Sequence, residues 1–141
     1  DGRFLAESNA ILLHLAEGTR FLPSDSWQKS KLYEWLFFEQ YSHEPNIATP
    51  RFWKNYLKVG EYDEEELKRR QLAGRKALAV MEKHLQEQKF FGPQYGIADI
   101  ALYAYTHKAE EGGQILDDFP AIKDWIDRVK AQPGHVTMED I

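Results

Sequence analysis

Apolar positions recur at helical spacing along most of this chain. From Glu7 to Glu17, Ile11, Leu12 and Leu15 share one face, with Ala10 and Ala16 alongside, and Gly18 supplies the stop. Gly18 to Ser26 collects Gly, Pro, Ser and Asp and reads as a linker. A long helical stretch then runs from Ser26 to Tyr56, with Leu32, Trp35, Leu36, Phe38 and Glu39 in its middle. Pro45 and Pro50 each remove a backbone donor, which predicts a kink or a split there. Asp63 with Glu66 forms a capping-box pattern for a helix that continues to Gln88. Phe90-Phe91-Gly92-Pro93 breaks the chain, and a further helix spans Gly96 to Ala109, with Gly112-Gly113 beyond it. Pro120 opens the last helix, which reaches Ala131 before Gln132-Pro133-Gly134. Ahead of all this, Asp1-Gly2-Arg3-Phe4-Leu5 reads as a hairpin turn and a very short strand. No partner strand follows, so the pattern favours a sheet that lies upstream.

Composition narrows the class. The chain has 141 residues, 43% of them hydrophobic and 13% aromatic, more packing material than a disordered chain carries. It has no cysteine, so a disulfide framework, cysteine-ligated zinc and a cysteine nucleophile are excluded within this stretch. Lys and Arg number 18 against 23 acidic residues, a net charge of −5 that argues against nucleic acid as main partner. No apolar run approaches the ~20 residues of a membrane span. A soluble, intracellular globular protein is the expectation. The acidic turn Glu64-Glu65-Glu66 followed by Lys68-Arg69-Arg70 reads as a solvated helix face.

Most familiar chemistry has no support in the spacing. The glycines sit at breaks and form no phosphate loop. His14, His43, His84, His107 and His135 never fall three or four residues apart, so no metal site is expected. His43-Glu44 opens like a metalloprotease motif, but its second histidine is missing.

One constellation does carry chemistry. Glu7-Ser8 stands at the start of the first helix, where unpaired N–H groups and the positive dipole end suit a carboxylate. Ser8 adds a hydroxyl donor, and Glu7 an acceptor for an ammonium group. Together they match the two ends of an α-amino acid. The plainer alternative is that Ser8 only caps the helix.

Three stretches resemble the cytosolic glutathione transferase superfamily, its bacterial members in particular. Phe4 to Ala16, with its Glu-Ser pair, is similar to the last strand and third helix of the family's thioredoxin-like half. Tyr95-Gly96-Ile97-Ala98-Asp99-Ile100-Ala101-Leu102 resembles the signature helix of the C-terminal half, and Phe119 through Trp125 to Pro133-Gly134 resembles the closing helix. The resemblance implies an all-α bundle preceded by a short strand–helix remnant of a thioredoxin-like domain. Residues 1–18 would be that remnant, 19–26 a linker, and 27–141 the all-helical C-terminal domain.

By the same resemblance, Glu7 and Ser8 hold the γ-glutamyl end of glutathione, in agreement with the amino-acid clamp read from the residues. Asp99 would be the acid of the buried helix's capping box, a folding element. The family's Ser or Thr at the cap is Gly96 here, so only half the box forms, at a cost of up to about 1 kcal/mol. The family's thiol-activating Tyr, Ser or Cys lies upstream, as does its cis-proline loop. No catalytic residue is therefore assigned in this stretch, and by itself it is expected to be inactive. For the electrophile, the candidates are Tyr41, His43, Arg51 and Tyr105, with Trp53 in the same stretch and Trp35, Phe38 and Phe52 reading rather as core or dimer contacts.

The resemblance thus implies a cytoplasmic, homodimeric detoxification enzyme. It would join the thiol of glutathione to small hydrophobic electrophiles, with no metal and no nucleic-acid or membrane partner. Two alternatives use the same scaffold: a non-catalytic protein-interaction module, and a glutathione-dependent isomerase, reductase or dehalogenase.

Overall fold

The computed structural model describes residues 2–136. Six α-helices follow one another: α1 Ser8–Ala16, α2 Ser26–Phe38, α3 Glu44–Tyr56, α4 Glu64–Leu85, α5 Ile97–Thr106 and α6 Pro120–Lys130. A π-helical turn, Glu39–His43, joins α2 to α3, and two 3-10 turns, Ala109–Gly112 and Leu116–Asp118, lie between α5 and α6. The described residues contain no strand. Where the sequence predicts one, residues 2–7 run without regular structure, because a lone strand has no neighbour to complete its ladder of hydrogen bonds.

The core explains the helices. On α4, Leu67, Gly74, Leu78, Met81 and Leu85 are buried at intervals of three, four or seven residues, a stripe that faces its neighbours. Trp125, Phe91, Leu32, Ile47, Leu78, Met81, Leu102 and Ile122 are fully enclosed and form one cluster. α1 is the outlier: Ala16 is buried, but Leu15, on the predicted apolar face, is 68% exposed.

Helix ends are satisfied in ways that spacing alone does not show. The Asp63 carboxylate accepts from the N–H groups of Glu65 and Glu66. Glu66 does not reach back to complete the box, because its carboxylate is taken by Arg69 and Arg70. α6 has no side-chain cap of its own. Instead the buried Glu82 of α4 accepts from Ala121 N–H at 3.1 Å and Ile122 N–H at 3.0 Å, placing a carboxylate on the positive end of α6.

The two prolines act differently from a simple kink. Pro45 is the second residue of α3 and follows the π-turn, in which Glu44 N–H donates to Glu39 C=O, five residues back. The wider turn absorbs the missing donor, and the Asn46 amide closes on Ser42 C=O at 2.8 Å. Pro50 lies inside α3, which continues past it.

Candidate functional site

At the head of α1, Glu7 occupies the cap position with φ 70° and ψ 117°. Among the described residues it is the one non-glycine with positive φ. Such a conformation costs about 1–3 kcal/mol and persists only when the surroundings hold it. Its side chain makes no capping bond, and regular helical bonding begins with Ile11 N–H to Glu7 C=O at 3.0 Å. Ser8 is the first helical residue and not a cap. Glu7 and Ser8 are both exposed, so the helix start presents a carboxylate, a hydroxyl and N–H groups without a side-chain acceptor, side by side.

Behind this exposed pair the next residue is anchored. Asn9 Nδ2 donates to Leu36 C=O at 3.1 Å and to Glu39 Oε2 at 2.9 Å. Glu39, on the π-turn, is 3% exposed and also accepts from Gln40 Nε2 at 2.8 Å. Burial pushes the Glu39 carboxyl up; the amides of Gln40 and Asn9 oppose this, and the charge of Glu44 adds to it. A cavity of about 430 Å³ opens beside Glu7, with Leu13, Tyr33, Leu36 and Phe37 in its walls.

The four electrophile candidates do not converge. Tyr41 is 87% exposed and lines a groove with Ala73, Lys76 and Val80 of α4. His43 is fully buried, which corrects its reading as a pocket residue: its Nε2 lies 2.8 Å from Thr106 Oγ1. The Thr106 hydroxyl proton goes to Leu102 C=O at 2.6 Å, so the hydroxyl accepts from His43 and the ring carries its proton on Nε2. Desolvation lowers the imidazole to about 3 and keeps it neutral.

Arg51 and Tyr105 do share surroundings. Arg51 Nε donates to Glu111 Oε2 at 2.6 Å, and Lys108 stands 3.4 Å from the other oxygen. Burial acts upward on Glu111, but these cations hold its carboxyl below the usual range. Burial pushes the Tyr105 phenol up, Glu44 and Glu39 add to the shift, and Arg51 opposes it. Arg51, named from the sequence as an electrophile candidate, is therefore a cation already paired with Glu111.

Asp99, fully buried at the head of α5, accepts from Phe91 N–H at 3.1 Å, Gly96 N–H at 3.0 Å and Trp125 Nε1–H at 2.9 Å. Desolvation nevertheless raises its carboxyl to about 6. Gly96 has no side chain to offer, and Phe21 C=O from the linker accepts from Ile97 N–H at 3.3 Å. Tight packing explains the glycine: a Cβ at Gly96 would stand 2.8 Å from that carbonyl oxygen. Among the described residues, no group of three or more His, Asp or Glu is placed to hold a metal.

Sequence reasoning missed Asn9, Glu39 and Glu82. Their partners lie 27 to 40 residues away along the chain, and no local pattern announces them.

Residues 33–133 match the model of the glutathione S-transferase C-terminal domain. A glutathione S-transferase from Pseudomonas fluorescens is 50% identical and superposes with a TM-score of 0.90 over 95% of this chain and 67% of its own. A Pseudomonas putida glutathione transferase, solved with one glutathione disulfide bound per subunit, is 25% identical, with a TM-score of 0.80 over 92% of this chain and 59% of its own. The disulfide-bond oxidoreductase YfcG of Escherichia coli is 28% identical over 132 residues, 92% of this chain. The chain spans 60% of the length of that curated relative. With the domain model covering most of its helices, the chain belongs to the glutathione S-transferase family.

Proposed function

We propose that the protein conjugates the thiol of glutathione to small hydrophobic electrophiles, with Glu7 and Ser8 holding the γ-glutamyl end. The observation that carries this reading is Glu7 itself. A non-glycine residue held at φ 70° beside an exposed serine and a helix N-terminus is strain kept where an amino-acid ligand finds all its partners. Glu7 accepts from the ammonium group; Ser8 and the helix N–H groups donate to the carboxylate. Glutathione disulfide bound to the P. putida relative supports the ligand class.

Residues 1–18 belong, on this reading, with a thioredoxin-like unit, 19–26 link it, and 27–141 form the helical domain. Phe4, 99% exposed, and Leu15 supply apolar surface for such a unit, and the thiol-activating residue lies outside these 141 residues. Of the electrophile candidates, Arg51 and Tyr105 are kept as a pair, the Arg51 charge acting on the Tyr105 phenol. A cytoplasmic homodimer completes the reading. No helix among the described residues is long and apolar enough to cross a membrane.

The test is the double variant Glu7→Ala, Ser8→Ala in the full-length protein, with glutathione affinity measured by calorimetry. Loss of two charge-assisted contacts weakens binding by about a hundredfold or more. Unchanged affinity would sink the proposal.

The oxidoreductase relative favours a second reading, glutathione-dependent disulfide reduction on the same clamp. Turnover of a small organic disulfide against that of an activated aryl halide, both with glutathione, separates the two. The faster reaction identifies the chemistry.

A further inference from the structure

The strained backbone at Glu7 needs something to hold it, and its own side chain holds nothing. The first turn of α1 is fastened two residues later, at Asn9. Both protons of the Asn9 amide are committed, one to Leu36 C=O and one to Glu39 Oε2, and because both partners are acceptors the orientation of the amide is fixed. The Leu36 carbonyl belongs to α2 whatever side chain follows it. The Glu39 carboxylate is there because of the residue at 39, and its position follows from the π-turn that begins with it.

Glu39 is a buried acid with no cation among its hydrogen-bond partners. It accepts from the amides of Asn9 and Gln40, with Glu44 and Tyr105 as its charged or titratable neighbours. A buried carboxylate without a cation is costly, and π-turns recur at functional sites. This one places its acid against the turn that carries the clamp.

We propose that Glu39 is a positioning residue for glutathione binding: through Asn9 it fixes the first turn of α1, and with it the backbone of Glu7 and Ser8. This rests on the reading of Glu7 and Ser8 as the glutathione clamp. Glu39 touches no ligand; it acts through Asn9.

The experiment compares Glu39→Ala and Glu39→Gln with the unaltered full-length protein, measuring Kd and KM for glutathione, kcat and the melting temperature. Glu39→Ala is expected to raise Kd and KM by about tenfold, the loss set by one charge-assisted hydrogen bond, and to lower kcat much less. Glu39→Gln retains a carbonyl acceptor for Asn9 and recovers most of that loss. Recovery by the amide separates positioning from general loosening, which would lower kcat and melting temperature along with affinity. If Glu39→Ala does not fold, Asn9→Ala is measured in its place, with the same expected rise in Kd. Unchanged glutathione affinity in these variants overturns the proposal, provided the Glu7→Ala, Ser8→Ala pair weakens binding. If that pair also leaves affinity unchanged, the clamp reading itself has failed, and the role of Glu39 falls with it.

Discussion

The carbonyl oxygen of Asn46 lies so close to Gly74 that a Cβ on this glycine would stand 2.5 Å from it. Pro50 explains the approach. It has no N–H to return to Asn46, four residues earlier, so that carbonyl is free to face α4. Gly74 is the one residue type that lets the backbone of α4 come so near, and the Gln114 amide and Ile47 Cδ1 close the remaining space at 2.8 and 2.9 Å.

Gly74→Ala therefore destabilises the fold, although alanine is the better helix former by about 1 kcal/mol. The nearest obstacle is backbone and cannot rotate away. A net loss of about 1–3 kcal/mol is expected, read as a lower melting temperature of the full-length protein. A gain in stability would mean that α3 and α4 are not packed this closely.

Gly96→Ser is expected to harm rather than to repair. Serine would restore the side-chain acceptor at the head of α5, which on spacing alone promises up to about 1 kcal/mol. In the fold, Phe21 C=O already accepts from Ile97 N–H, and the new Cβ would press on that same oxygen at 2.8 Å. Chemical denaturation should give a lower midpoint for the serine variant.

His43 makes stability fall in acid. Its ring is held at about 3 by burial, against an ordinary value near 6.5. Below about 6.5 the unfolded chain takes up a proton that the folded chain refuses. The stability from the neutral ring is thus present above that value and drains as pH falls toward 3. Urea unfolding between about pH 7 and 4 should steepen for the unaltered protein relative to His43→Gln. Thr106→Val, which leaves His43 Nε2–H without its acceptor, should cost about 1–3 kcal/mol at neutral pH.

Asp99 works in the opposite direction. Its carboxyl, raised by desolvation to about 6, favours the fold fully below its ordinary value near 3.9, and that contribution is lost as pH rises through about 6. Asp99→Asn removes the titration. It also turns an amide N–H₂ toward one of the donors Phe91, Gly96 and Trp125, at a cost of about 1–3 kcal/mol. The stability gap between the variant and the unaltered protein should narrow from about pH 4 to 7. A gap that widens would mean that the three donors outweigh desolvation.

How far the sequence carries depends on the range of each interaction. Five helical stretches are legible because their apolar positions repeat within a few residues, the second of them divided in the fold into α2 and α3, and Asp63 and Pro120 mark two starts by local chemistry alone. The π-turn is not legible: Pro45 announces a disturbance, but whether the chain kinks or widens depends on where Glu39 and His43 find partners on α1 and α5. Nor does the residue type place His43, since a buried imidazole and a pocket imidazole have the same sequence. Thr106, 63 positions later, decides. Arg51 is a cation in the sequence and half of an ion pair in the fold because Glu111 lies 60 residues further along. Glu7-Ser8 could be singled out by its place before a helix, but its backbone strain had no signal at all. Glutamate does not advertise a positive φ.

That strain yields a prediction in which stability and binding part company. Glycine tolerates φ 70° without penalty, so Glu7→Gly relieves about 1–3 kcal/mol of backbone cost, less about 0.5–1 kcal/mol for the added freedom of the unfolded chain. A modestly higher melting temperature is expected for the full-length protein. The same change removes the carboxylate proposed to receive the ammonium group of glutathione, and affinity should fall by about tenfold or more. Glu7→Ala serves as the control, because it removes the carboxylate but keeps the Cβ and the strain. It should lose affinity without gaining stability. If glycine and alanine melt alike, Glu7 is not strained in solution, and the observation on which the clamp rests loses its force.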